Sequence, residues 1–127
     1  MKISFDYDGT LADFKIQELA KSFVAAGHDV WVLTSRFDDA AFDENGKVIG
    51  HYGHNMDIRR VCDRVGIPND KVLFTNGKLK KDTYFKHNFD IHYDDLVEEV
   101  DAINENGGCA FLVYASYSEI IDQIKCY

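Results

Sequence analysis

Apolar and polar positions along this chain follow two periods, and the switches between them mark out strands and helices. Residues 2–7 form a short apolar stretch with the pattern of a strand, after which Ile16, Leu19, Ala20, Phe23 and Val24 fall on one face of a helix closed by Gly27. Residues 30–34 are almost continuously apolar, as expected of a strand buried on both faces of a parallel sheet. Ile58, Val61, Cys62 and Val65 mark a second amphipathic helix, the Gly-Ile-Pro-Asn-Asp run at 66–70 a turn, and residues 72–74 a third strand. The spacing then predicts a helical Lys-rich segment over 80–87, a strand over 89–93, a helix over 96–103, a strand over 110–113 and a terminal helix near 118–125.

Strands alternating with helices imply right-handed βαβ units and an α/β three-layer sandwich around a mostly parallel, five-stranded sheet. Nearly half the residues are hydrophobic, so residues 1–127 suffice for one core and one domain, and neither a repeat nor an interdomain linker interrupts them. Ligands of such sheets bind beyond the carboxyl ends of the strands. Those ends carry Asp6 and Asp8, then Thr34 and Ser35, then Asp94 and Asp95. The polar insertion 37–55 is too long for an ordinary connection. It reads as a lid or substrate loop, with a plain surface loop or a hairpin turning at Asn45-Gly46 as alternatives.

Asp6 and Asp8, two positions apart and followed by Gly9-Thr10, meet a specific need of phosphoryl transfer. One carboxylate attacks phosphorus while the other protonates the leaving oxygen and later deprotonates water. Carboxylates beside an anionic substrate call for a hard divalent cation, naturally Mg²⁺, with Asp94-Asp95 and the carbonyl of Asp8 as further ligands. Thr34 or Ser35 and a lysine among Lys78, Lys80 and Lys81 would bind the charged phosphoryl oxygens. Each feature has a plainer reading. Asp-Gly marks turns, Asp94-Asp95 can cap the helix beginning near Leu96, Arg36 can form a surface ion pair, and His51 and His54 can be solvated. Trp31 is expected in the core.

Together these segments make the chain resemble the haloacid dehalogenase (HAD) superfamily. Asp6-Tyr7-Asp8-Gly9-Thr10 is similar to its first motif, Leu33-Thr34-Ser35 to its second, a lysine of the 78–81 cluster to its third and Ile91-His92-Tyr93-Asp94-Asp95 to its fourth. The resemblance implies a Rossmann-like sheet of order 5-4-1-2-3 without a large cap domain. It also implies Asp6 as nucleophile, Asp8 as general acid and base, Thr34 as phosphate ligand, and Asp6, Asp8, Asp94 and Asp95 around Mg²⁺. Lys80 fits the third motif best, because Lys80-Lys81-Asp82 is similar to the family's Lys-x-Asp. Asp8 speaks against carbon–halogen cleavage, since dehalogenases of the family lack it. The implied activity is Mg²⁺-dependent hydrolysis of a phosphomonoester through an aspartyl-phosphate, on a nucleotide, a sugar phosphate or a nucleic-acid 3′-phosphate. Phosphotransfer to an acceptor other than water, or a catalytically quiet phosphate-sensing or partner-binding domain, are the alternatives.

Charge narrows the partners. With 22 acidic against 14 basic residues the net charge is −8, which disfavours stable binding to nucleic acid or to anionic membranes and favours a phosphorylated small molecule, or at most a nucleic-acid end. No apolar run approaches the ~18 residues of a membrane span, and Cys62, Cys109 and Cys126 show no metal-ligand spacing, so a cytoplasmic protein with free thiols is expected. Nothing in the sequence fixes the oligomeric state.

Overall fold

The computed structural model describes residues 1–39, 44–45, 47 and 54–113. Its strands are β1 (Lys2–Phe5), β2 (Asp29–Thr34), β3 (Val72–Phe74), β4 (Ile91–Asp94) and β5 (Ala110–Leu112). Its helices are α1 (Phe14–Ala25), α2 (Met56–Val65), α3 (Lys81–Lys86) and α4 (Val97–Glu105). All neighbouring strands pair in parallel, in the order β3-β2-β1-β4-β5, which is the expected order read from the opposite edge. In register, Phe5 lies between Val32 and Tyr93, so β1 occupies the centre.

Alternation along the strands assigns each face its own helices. On one face Ile3, Phe5, Val30, Val32, Ile91 and Tyr93 meet Leu19 and Phe23 of α1 and Ile58 and Val61 of α2. Phe5 and Tyr93 stack there with ring centroids 5.0 Å apart. On the other face Leu33 and Ala110 join Tyr84 of α3 and Val100 and Ile103 of α4. Helices on both faces make this a three-layer, Rossmann-like α/β fold, and no cap domain occurs among the described residues. No helix among them is long and apolar enough to cross a membrane.

Element boundaries shift where side chains or backbone sterics intervene. β1 ends at Phe5 rather than at residue 7, because Asp6 and Tyr7 turn their carbonyls into a wide loop, accepting from Leu11 N at 3.0 Å and Ala12 N at 2.9 Å. Asn88, with φ +56, separates α3 from β4. Asp90 then binds Lys2, its side chain accepting from Lys2 N at 2.7 Å, and β4 starts only at Ile91 and runs on to Asp94. Trp31 is half-buried against Lys2 and Phe89, in keeping with a packing role. Cys62 is a buried free thiol. Cys126, the helix expected near 118–125 and most of the 37–55 insertion, His51 included, lie outside the described residues.

Candidate active site

Three segments converge beyond the carboxyl ends of β1 and β4. Asp6 follows β1 and keeps pairing with β4, its N donating to Tyr93 O at 2.9 Å, while Asp94 is the last residue of β4. Between them lies Lys80, whose Nζ donates to Asp6 Oδ1 at 2.7 Å and to Asp94 Oδ2 at 2.6 Å. Glu99, from the first turns of α4, approaches the same ammonium at 3.5 Å and accepts from the Lys80 backbone N at 3.1 Å. Lys80 is 1 % exposed, whereas Lys78 is exposed and Lys81 half-buried, so geometry singles out Lys80 among the candidate lysines.

The loop ahead of α3 delivers that lysine by being tied to β2. Thr75 N donates to Thr34 O at 2.9 Å, Asn76 N to Arg36 O at 3.2 Å and Gly77 N to Ser35 O at 2.7 Å. The chain reverses through Asn76 and Gly77, with φ +54 and +84, a left-handed pair that Asn and Gly tolerate best. Lys78 N closes the turn onto Thr75 O at 3.2 Å.

A buried hydrogen-bond chain stands behind Asp94. His92 Nε2 lies 2.8 Å from Asp94 Oδ2, and His92 Nδ1 lies 2.7 Å from Ser4 Oγ. Burial holds His92 below its usual range, so the neutral ring donates from Nε2 and accepts from the serine. Burial alone would raise Asp94, but His92 and Lys80 hold it below the ordinary carboxylate range. Asp6 behaves oppositely. Burial, with Asp94 beside it, outweighs Lys80 and pushes Asp6 up to about 8. Lys80 itself would be lowered by burial, yet Asp6 and Asp94 raise it, so the ammonium stays charged.

Asp95 completes the carboxylate cluster. Oxygens of Asp6, Asp94 and Asp95 lie within 4.8 Å of one another. Thr10 Oγ1 spans the cluster, 3.3 Å from Asp6 Oδ2 and 3.4 Å from Asp95 Oδ1. Neither acid caps α4: Asp94 Oδ1 accepts from the N of Leu96, the residue ahead of the helix, at 3.1 Å, and among the described residues no side chain bonds the amides of its first turn. An all-oxygen donor set with one neighbouring ammonium among Asp6, Asp94, Asp95 and Glu99 leaves negative charge uncompensated, which suits a hard divalent cation such as Mg²⁺. Gly9 makes the close approach to Asp95 feasible. With φ +76, a Cβ there would lie 2.2 Å from Asp95 Oδ2. Gly9→Ala should therefore cost more than ~1 kcal/mol of stability and weaken divalent-ion binding, checked by thermal melts with and without Mg²⁺.

The Asp8 carboxylate is not part of this cluster. It is 60 % exposed at the rim, where Arg36 grips it through Nε at 2.8 Å and Nη2 at 2.7 Å. The same guanidinium binds Asp57 of α2 through Nη1 and Nη2, both at 2.8 Å, and holds Asp57 below its usual range against the opposing effect of burial. Thr34 is buried at the end of β2, with Oγ1 accepting from Arg36 N at 3.2 Å. Ser35 is half-buried and joins the loop through its carbonyl.

Sequence reasoning anticipated Asp6, Asp8, Thr34, Lys80, Asp94 and Asp95 at this end of the sheet, but missed Ser4, His92, Glu99 and Asp57. A signal existed for two of them: Ser4 and His92 are the polar interruptions of otherwise apolar strands, and they pair side by side in register. No family model matches the chain, and no curated protein matches it.

Proposed function

We propose that the protein is a Mg²⁺-dependent phosphomonoester hydrolase of the HAD type, working through an aspartyl-phosphate on Asp6. The observation that carries this reading is the buried Asp6–Lys80–Asp94 arrangement, with Lys80 Nζ 2.7 and 2.6 Å from the two carboxylates, beside the separately held rim carboxylate of Asp8. A nucleophilic carboxylate must be ionised, and burial opposes this. Lys80 offsets part of that cost and holds one Asp6 oxygen in place, leaving the carboxylate directed for attack.

An Asp6 oxygen then bonds to phosphorus as the ester oxygen leaves with a proton from Asp8. In the second step Asp8 takes a proton from water, whose oxygen displaces Asp6. Asp6, Asp94 and Asp95 would hold Mg²⁺, which when bound supplies charge compensation for the phosphoryl oxygens. Thr34, fixed by β2, offers a hydroxyl toward the same group. A net charge of −8 favours small phosphomonoesters over nucleic acid.

Turnover across a panel of nucleotide, sugar and aryl phosphates tests this reading. Phosphate release should require Mg²⁺ and stop with a chelator; release unaffected by chelation would contradict it. Binding should also carry a pH signature. Metal ligation needs ionised Asp6, whose pKa without metal is about 8, so Mg²⁺ should raise the melting temperature more at pH 8 than at pH 6. An equal shift at both would show that Asp6 is not a ligand.

A further inference from the structure

Arg36 has every guanidinium donor committed. Nε and Nη2 grip Asp8, Nη1 and Nη2 grip Asp57, and the remaining Nη1 hydrogen faces Asn55 Oδ1 at 3.4 Å. One face of the group covers the Tyr7 ring, with Cζ 4.9 Å from its centroid. Asn55 is itself fully buried and fixed, its Nδ2 donating to Phe37 O at 3.0 Å and Asp39 Oδ1 at 2.8 Å. This is more than a surface ion pair, which would leave most donors to water and contribute little. A planar fork anchored by Asp57, Asn55 and Tyr7 presents its free edge to one acceptor, the Asp8 carboxyl.

We propose that Arg36 is a positioning residue for leaving-group protonation, with Asp57 as its anchor. The inference rests on the phosphatase reading above and extends it, since Arg36 acts through Asp8 and Asp57 through Arg36. Asp8 is 60 % exposed, and without a fixed partner its side chain would sample several rotamers. Arg36 restricts that freedom. In the transfer step the ester O–P bond breaks as the Asp6 O–P bond forms, and the departing oxygen takes its proton from one Asp8 oxygen, which gives up its Arg36 hydrogen bond to carry it, while the other stays held by the guanidinium. Asp57 keeps the guanidinium neutralised and in place while Asp8 is protonated. In the second step water returns a proton to Asp8 as its oxygen bonds to phosphorus and the acyl-phosphate bond breaks.

The leaving group provides a readout that a purely structural role would not move. An alkyl phosphate needs its departing oxygen protonated, whereas p-nitrophenyl phosphate expels a stable anion and needs little help. Arg36→Ala should lower kcat/KM for the alkyl ester by about 10²-fold, the lower end of a general-acid contribution, and for the aryl ester only a few-fold. Arg36→Lys should fall between, and Asp57→Asn should show the same split at smaller amplitude. In an Asp8→Asn background, Arg36→Ala should add nothing further. Equal losses on both esters, or additive effects with Asp8→Asn, would overturn the inference while leaving the phosphatase reading intact. If Arg36→Ala melts too early to assay, Asp57→Asn decides by the same ratio. Absence of Mg²⁺-dependent turnover in the wild-type protein would overturn both.

Discussion

On the proposed mechanism, Lys80→Met should abolish turnover and weaken the fold by about 3–5 kcal/mol, the range for breaking a buried ion pair from one side. The substitution keeps the length of the side chain and deletes its charge, so Asp6 and Asp94, 4 % and 0 % exposed, lose the ammonium between them, and Glu99 keeps only the backbone N–H of residue 80. Those carboxylates then bind protons more readily in the folded than in the unfolded chain. Stability of the variant should therefore rise as pH falls from 7 towards 5, because the folded state holds the extra protons. Urea unfolding at the two pH values, beside wild type, measures the effect. Lys78→Met serves as the control: Lys78 is exposed and should tolerate the change within about 0.5 kcal/mol. Equal stability and turnover for Lys80→Met and wild type would remove Lys80 from the site.

Lys80 marks the boundary between what sequence carries and what only packing decides. The strands were legible because burial on both faces of a parallel sheet requires nearly continuous apolar runs, as in Val30–Leu33, and the switch to helical spacing bounds each one. Acids at strand ends were legible because the sheet brings those ends together. Choosing among Lys78, Lys80 and Lys81 was different, since a helical period cannot say which residue of an irregular loop turns inward. That is settled by the Asn76-Gly77 turn and its hydrogen bonds to Thr34, Ser35 and Arg36. Glu99 and Asp57 stayed hidden for a related reason. Acidic residues in a helix's first turns are common for electrostatic reasons alone, and only tertiary packing points Glu99 at Lys80 and Asp57 at Arg36.

The strand ends were misplaced where hydrogen bonding rather than hydrophobicity sets the limit. Tyr7 is buried and apolar enough to extend β1, yet its carbonyl accepts from Ala12 in the loop that carries Asp8 and Gly9. Phe89 is equally buried, but the left-handed Asn88 before it belongs to a turn. Both deviations matter to the site. The first lifts Asp8 away from Asp6 to the rim, and the second lets Asp90 lock onto Lys2, aligning β4 with β1 so that Asp94 arrives beside Asp6.

The proposed nucleophile, Asp6, is probed with little structural disturbance by Asp6→Asn. Asn matches Asp in shape, the change removes a charge that burial opposes, and Lys80 keeps Asp94 and Glu99 as partners. The variant should fold with a melting temperature close to that of wild type. The decisive measurement is Mg²⁺-dependent phosphate release from an aryl phosphate by wild type and Asp6→Asn side by side. A fall of about 10⁴-fold or more, as expected on losing a nucleophile, is the predicted result, and turnover at the wild-type rate by the folded variant would contradict the account.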